Sequence, residues 1–224
     1  MPRLKFEKSA GFTKRIESLI PGGAHTYSKG RDQFPQLAPN GILRGAGSRV
    51  WDIDGNEFID WSMGLTSVSL GHAHPDVNEA VKSAIDDGVN FQRPAQLELK
   101  AAECFLDMTG TEMVKFAKHG SSVTTAAIKL ARGFTGRTKV AVPKEQPFFS
   151  FDDWFIGSTE TDHGIPTELK QFTLQFEYNN PESLRDLFLK HPTEIACVML
   201  EPVKFDPPKN GFLDTVRNIC DEFG

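Results

Sequence analysis

The chain has 224 residues, of which 39% are hydrophobic and 25% are charged, and this composition predicts a globular protein of one domain or slightly more. A formal net charge of -5, with evenly spread Lys and Arg, argues against nucleic acid as a partner. The sequence has no apolar run of membrane-spanning length and no secretory signal pattern, so we expect a cytoplasmic protein without membrane contacts. The three cysteines, Cys104, Cys197 and Cys220, are expected to be reduced core thiols.

The first elements in chain order are a helix and a β-hairpin. Residues 8–20 predict an N-terminal helix, which ends at the Pro-Gly-Gly sequence of residues 21–23. In residues 48–61, Asp54 and Gly55 separate two segments that are rich in β-branched and aromatic residues. An Asp-Gly pair in this setting is typical of a tight turn between antiparallel strands, so we predict a hairpin here.

Two amphipathic helices are predicted next, over residues 71–88 and 95–110. Pro75 lies at the start of the first, where the missing N–H of proline costs nothing. Apolar residues at helical spacing define one face of each helix, and we expect both faces to be buried. These residues are Val77, Val81, Ala84 and Ile85 in the first helix, and Leu97, Ala101, Cys104 and Phe105 in the second.

Strands and helices alternate through the rest of the chain. Strands are predicted within 113–117, 138–143, 166–180 and 195–200, and helices over 121–133, 181–192 and the final residues up to Gly224. The last helix places Val216, Ile219, Cys220 and Phe223 at helical spacing. Alternation of this kind predicts an α/β fold with a mainly parallel sheet.

The segment around Gly120 has the features of an anion site. Gly120 and four hydroxyl residues (Ser121, Ser122, Thr124 and Thr125) come directly before or within the start of a predicted helix. A helix N-terminus carries unpaired N–H groups and the positive end of the helix dipole, a combination that suits phosphate. An ordinary helix capped by Ser is the alternative. The glycine spacing fits neither a Walker loop nor a dinucleotide fingerprint.

Two other pairs of polar residues are expected to have structural roles. His72 and His74 form an HxH pair at a helix entry, but no third metal ligand lies at a useful spacing, so we expect no metal site. Asp152 and Asp153 are expected to lie in a loop turn beside the site and not to act as an acid–base couple.

Six segments follow one another along the chain: IPGGAHTYSKG, GAGSRVWDIDGNEFIDW, LGHAHPDVNEAV, KLARGFTGRTKV, EIACVMLEPV and GFLDTVRNICDEFG. Together they resemble the class III pyridoxal-phosphate (PLP) aminotransferases, in particular the glutamate-1-semialdehyde aminomutase type. The resemblance implies the fold-type I large domain, with an N-terminal segment over 1–70 and an incomplete PLP-binding domain over 71–224.

The resemblance also implies roles for single residues in binding PLP. Gly120 and Ser121 match the pair that holds the cofactor phosphate, and Ser122 occupies the next position, where many members carry an acid. Phe148 matches the aromatic residue that stacks on the cofactor ring, with a core phenylalanine as the alternative. Glu201 matches a glutamate beside the cofactor, with a structural salt bridge as the alternative.

On the substrate side the chain departs from the family pattern. Tyr27 and Lys29 lie in the segment that contacts the substrate carboxylate in the family, and Lys29 stands near the place of an arginine. A lysine offers a point charge in place of a bidentate fork. Leu65 replaces a family aromatic, and Phe149 and Ser150 replace the usual His-Gly. We therefore expect a small carbonyl, amino-acid-like or sugar substrate other than glutamate-1-semialdehyde.

The family's Schiff-base lysine and the acid beside the pyridine nitrogen match no residue of this chain, and Lys204 does not lie in the lysine's context. The resemblance therefore implies an aminotransferase or aminomutase that is a homodimer at full length, while these 224 residues alone are expected to be inactive. One alternative is a non-catalytic half-domain that acts as a binding or regulatory partner. A weaker alternative is a nucleotide-binding domain that uses the same helix start.

Overall fold

The computed structural model of the chain describes residues 4–146 and 148–224. They form two compact units, Met1–Leu99 and Lys100–Gly224. The domain division at residue 70 stays a prediction, because compactness alone does not define a functional domain. In the described part of the chain, every helix is too short or too polar to cross a membrane.

The first unit contains a three-stranded antiparallel sheet, whose strands lie side by side in chain order. Short 3-10 turns occupy Pro21–Gly23, Tyr27–Lys29 and Arg31–Gln33. The regular elements are α1 (Glu7–Glu17), β1 (Ile42–Ala46), β2 (Arg49–Asp52), β3 (Glu57–Ile59) and α2 (Pro75–Asp86), and α3 (Gln96–Thr109) begins in this unit and ends in the second. The predicted N-terminal helix and hairpin are confirmed, while strand β1 was not predicted.

The turn between β2 and β3 shows why this sequence forms a hairpin. Gly55 adopts a φ of 85°, a left-handed conformation that favours glycine. The buried Asp52 carboxylate accepts hydrogen bonds from the backbone N–H groups of Asp54 (3.0 Å) and Asn56 (2.8 Å). Asp54 in turn accepts from the Lys8 backbone N–H at 2.7 Å, which attaches the start of α1 to the turn.

The amphipathic faces predicted for α2 and α3 are not buried, although both helices form as predicted. Val77, Val81 and Ile85 on α2 are exposed, and Ala84 is half-buried. On α3 the predicted inward residues, Leu97, Ala101, Cys104 and Phe105, are all exposed. Apolar spacing predicts a helix and the face that could pack, but it does not supply the surface that covers that face.

The second unit contains a three-stranded parallel sheet, in which the first strand in chain order lies between the other two. This sheet confirms the predicted α/β class with a parallel sheet. Its elements are α4 (Gly120–Thr135), β4 (Lys139–Pro143), α5 (Asp153–Ile156), α6 (Thr167–Lys170), β5 (Thr173–Phe176), α7 (Pro181–Lys190), β6 (Ile195–Val198) and α8 (Phe212–Phe223).

The central strand β4 is buried on both faces, as expected of a parallel sheet. Successive residues point to opposite faces, so Ala141 and its neighbour Val142 belong to two different cores. The first core joins Ala141 to residues of β5, α7, β6 and α8: Phe176, Leu184, Phe188, Ile195, Phe212, Val216 and Ile219. The second joins Val140 and Val142 to Ile128, Phe149, Trp154 and Phe155.

Three further expectations meet different outcomes in the second unit. The strand expected within 113–117 is wrong, because these residues form no regular secondary structure. The expectation of three core thiols is wrong for Cys104, which is exposed, while Cys197 and Cys220 are half-buried and free. The apolar face of α8 is confirmed, with Ile219 fully buried and Gly224 in the left-handed C-terminal position.

Candidate functional site

The start of helix α4 presents free backbone donors. In residues 4–146 and 148–224, the N–H groups of Gly120 and Ser121 have no acceptor. The N-cap residue is His119, whose ring nitrogen accepts the Ser122 N–H at 3.3 Å, so the alternative of a Ser N-cap is wrong. A Cβ built on Gly120 would meet no atom within 4 Å. The helix therefore begins with two donors that lack an acceptor in the described part of the chain, at the end where the helix dipole favours an anion.

The two serines that follow Gly120 have different surroundings. Ser121 is 6% exposed, and its Oγ accepts a hydrogen bond from the Phe151 backbone N–H at 3.2 Å. Among the described residues the Ser121 hydroxyl has no acceptor of its own, so it can donate its proton to a ligand. Ser122 is exposed, and its Oγ lies 3.1 Å from Nε2 of His119. Ser121 is thus the better fixed of the two hydroxyl groups.

The other two hydroxyl residues of this segment do not serve as free donors. Thr124 Oγ1 donates to the backbone carbonyl of Phe149 at 2.9 Å. Thr125 Oγ1 donates to the Asp152 carboxylate and accepts from the indole N–H of Trp154 at 2.8 Å. These two hydroxyl groups are therefore used within the protein. They attach α4 to the loop of residues 144–152, and the pattern of hydroxyls alone could not distinguish these uses.

The two adjacent phenylalanines of that loop point to different environments. Phe149 is 7% exposed and packs edge-on against Phe155, with ring centroids 5.3 Å apart. Phe148 is 54% exposed and makes a longer edge contact with the same ring, at 6.1 Å. Phe149 is therefore a core residue, whereas the Phe148 ring keeps free surface that a flat ligand could cover.

Glu201 follows β6, beyond the carboxyl end of a parallel strand. Its carboxylate lies 3.2 Å from Nζ of Lys204, which fits the salt-bridge alternative. Its main chain is held by Gln146, a residue that the sequence did not mark as functional. The loop of residues 144–152 thus contacts α4 through Phe149, Phe151 and Asp152, and contacts Glu201 through Gln146. Ligands in open α/β sheets bind at this edge of the sheet.

The residues expected to contact a substrate lie in the first unit. Tyr27 and Lys29 are exposed and occupy one 3-10 turn. Lys29 lines a cavity of ≈ 610 Å³ together with Arg31 and Trp61. Leu65 is partly exposed and has a left-handed φ of 60°, a strained conformation for this residue type.

His72 has a structural partner. Its Nε2 lies 2.7 Å from Oδ2 of Asp60, and this contact holds the pKa of the Asp60 carboxyl below its usual range. Its backbone forms a reciprocal pair of hydrogen bonds with Gly47. Within the described ranges, no group of three or more His, Cys, Asp or Glu side chains could hold a metal ion. These contacts support the structural role expected for His72.

The family model for class-III aminotransferases matches residues 33–224. The chain belongs to this family. The protein named glutamate-1-semialdehyde 2,1-aminomutase in Geotalea daltonii is 32% identical to this chain. The alignment is 247 residues long with its gaps, and it covers 99% of this chain and 55% of the relative. The protein of the same name in Caldicellulosiruptor saccharolyticus is 33% identical over 231 residues, covering 99% and 54%. The chain thus spans about half the length of the curated relatives it matches.

A solved structure agrees with this class-III assignment. A transaminase with PLP bound matches at a TM-score of 0.89 and 29% identity, covering 99% of this chain and 54% of the other. The match confirms the prediction of a fold-type I PLP-transferase architecture.

Proposed function

We propose that this class-III chain contributes the phosphate-binding part of a PLP site in an aminotransferase or aminomutase. The observation that carries the proposal is the start of α4, where the Gly120 and Ser121 N–H groups lack acceptors among the described residues. A phosphate monoester is the ligand that best matches two backbone donors, a neighbouring hydroxyl and a helix dipole. Ser122 would add a second, exposed hydroxyl.

The residues around this helix start fit the rest of the cofactor. The free surface of Phe148 would cover one face of the pyridine ring, and Glu201 would supply a carboxylate beside it. When bound, PLP supplies an electron sink for amino-group chemistry. The chain's own contribution is to bind the phosphate, orient the ring and exclude water from one face of it.

The proposed substrate is a small carbonyl or amino compound with an anionic group. Tyr27 and Lys29 would contact that group, because both are exposed and Lys29 lines the cavity of the first unit. A single lysine attracts an anion without fixing its plane, so it would accept a wider range of acids than an arginine. We further propose a cytoplasmic protein that is a homodimer at full length.

The 224 residues are proposed to be insufficient for catalysis. Covalent PLP chemistry requires a lysine amine that can lose its proton. Lys144 and Lys204, which lie near the site in sequence, support this proposal because both are paired with carboxylates. A hydrogen bond to the Glu177 carboxylate raises the pKa of Lys144, and Lys204 lies 3.2 Å from Glu201.

Comparison of three ligands tests the phosphate assignment. Equilibrium dialysis of the chain should show PLP binding, about tenfold or weaker binding of pyridoxal, and displacement of PLP by inorganic phosphate. Pyridoxal is the matched control, because it keeps the ring and lacks the phosphate. Equal affinities for PLP and pyridoxal would contradict the proposal. A nucleotide that binds more tightly than PLP would favour a nucleotide-binding domain instead.

A further inference from the structure

Gln146 is a buried polar residue with two well-defined partners. Its side chain is 5% exposed, in the loop that follows β4. Its Oε1 accepts the Glu201 backbone N–H at 2.7 Å, and its Nε2 donates to the Glu201 backbone carbonyl at 2.6 Å. One carboxamide thereby satisfies both main-chain polar groups of one residue.

This pair of bonds continues the sheet beyond the point where its strands stop. Between β4 and the chain that follows β6, the last backbone hydrogen bond runs from the Met199 N–H to the Ala141 carbonyl at 2.9 Å. β4 ends at Pro143, and its pairing with β6 stops before that residue, although the Lys144 N–H still donates to the Phe176 carbonyl of β5 at 2.9 Å. The Gln146 side chain then takes the place of a strand, since it offers one donor and one acceptor to Glu201 as a paired strand would.

The main chain at Glu201 is consequently more fixed than its carboxylate. Tyr178 Oη donates to the adjacent Pro202 carbonyl at 2.5 Å, which adds a second anchor to the same segment. The Glu201 carboxylate itself contacts Lys204, whose side chain is 40% exposed. An exposed ion pair of this kind holds a side chain weakly. The direction in which Glu201 leaves the backbone therefore depends mainly on Gln146.

We propose that Gln146 is the positioning residue for Glu201 in the cofactor site. Gln146 fixes the Glu201 backbone, so that the carboxylate can reach the ring side of PLP, and makes no contact with the phosphate. This inference rests on the proposed function, because Glu201 has a role toward the ring only if the chain binds PLP at the start of α4.

The first test measures whether Gln146 fixes the Glu201 backbone. Gln146→Met has a similar length without the hydrogen bonds, and Tyr178→Phe is the matched control that loses only the Pro202 contact. Hydrogen exchange of the Glu201 amide should be about tenfold or more faster in Gln146→Met and unchanged in Tyr178→Phe. Unchanged exchange of the Val140 and Val142 amides confirms that the variants remain folded. Equal Glu201 protection in wild type and Gln146→Met would overturn the proposal.

The second test measures whether Gln146 acts through Glu201. Gln146→Met should weaken PLP binding about tenfold and leave inorganic phosphate binding unchanged. In a Glu201→Ala background, the same Gln146 substitution should change PLP binding less than about twofold, since coupled residues are not additive. Gln146→Glu keeps an acceptor for the Glu201 N–H and should recover part of the PLP affinity. A tenfold loss in both backgrounds would indicate a general structural role and overturn the proposal.

The outcomes also separate this inference from the function on which it rests. A wild-type chain that binds PLP, with an unaffected Gln146→Met variant, overturns the role of Gln146 alone. A wild-type chain that binds neither PLP nor phosphate overturns the proposed function and the role of Gln146 together.

Discussion

Phe148 and Phe149 are adjacent in sequence, and replacing each by alanine should have opposite consequences for stability and ligand binding. Phe149 is 7% exposed within the core formed with Val140, Val142 and Trp154. Phe149→Ala should therefore lower the free energy of unfolding by about 3–5 kcal/mol, through lost burial and a cavity. Phe148 already exposes 54% of its surface and leaves no closed cavity, so Phe148→Ala should cost about 1 kcal/mol.

For PLP binding, Phe148→Ala is expected to be the more damaging of the two variants. Phe148→Ala should lose the contact between its ring and the pyridine ring, which is about 1 kcal/mol and corresponds to roughly fivefold weaker binding. Phe149→Ala should keep the affinity of wild type per folded molecule, because its ring packs against Phe155 inside the core.

Two measurements on the same preparations provide the test. Urea unfolding followed by tryptophan fluorescence gives the stability, and absorbance during dialysis gives the rate at which PLP is lost. PLP retention is compared at a temperature where circular dichroism shows both variants to be folded. Equal loss of PLP from the two folded variants, or a larger stability loss in Phe148→Ala, would refute the assignment of Phe148 to the ring.

Three further predictions concern stability and reactivity. Thr125→Val should lower the free energy of unfolding, measured in urea, by about 1–3 kcal/mol, because it leaves the buried Trp154 N–H without its acceptor. An unfolding midpoint in urea equal to that of wild type would contradict this prediction. Burial raises the pKa of Cys197 to about 11, so at pH 8 mass spectrometry should find its alkylation by iodoacetamide at least about 100-fold slower than that of exposed Cys104. The lowered pKa of Asp60 means that its contribution to stability is complete above about pH 4 and is lost as pH falls through the folded-state pKa. Asp60→Asn should therefore destabilise the chain at pH 7 but not below that pKa, and a difference that persists there would contradict the linkage.

The elements that sequence predicts well are those with local causes. The β2–β3 hairpin follows from the Asp-Gly turn, and α7 begins at Pro181, where proline is favoured at the first helical position. The apolar spacing of the last helix likewise gives α8 with Val216 and Ile219 buried. In each case the signal and the structure lie within about a dozen residues of one another.

The parts that sequence did not predict depend on contacts between distant residues. Thr125 is one of the four hydroxyl residues of the anion-site pattern, but its hydroxyl bonds to Asp152 and Trp154, which come 27 and 29 residues later. Gln146 lies 55 residues from Glu201, and no local pattern distinguishes it from an exposed glutamine. The apolar faces of α2 and α3 show the same limit, because spacing identifies the face without identifying its partner.

The central claim, that the start of α4 binds the phosphate of PLP, can be tested with two glycines of one helix. Gly120 and Gly133 both lie in α4, and a Cβ at either position would meet no atom within 4 Å. Alanine at either position should leave stability unchanged or raise it by up to about 1 kcal/mol. A methyl group at Gly120, however, would be added at the helix start beside the unpaired N–H groups, whereas one at Gly133 would lie near the other end of the helix.

The decisive measurement is PLP affinity, by equilibrium dialysis, for these two folded variants and wild type. We predict that Gly120→Ala binds PLP at least about tenfold more weakly and that Gly133→Ala binds it as wild type does. Equal PLP affinity of Gly120→Ala and Gly133→Ala would contradict the assignment of the phosphate to this helix.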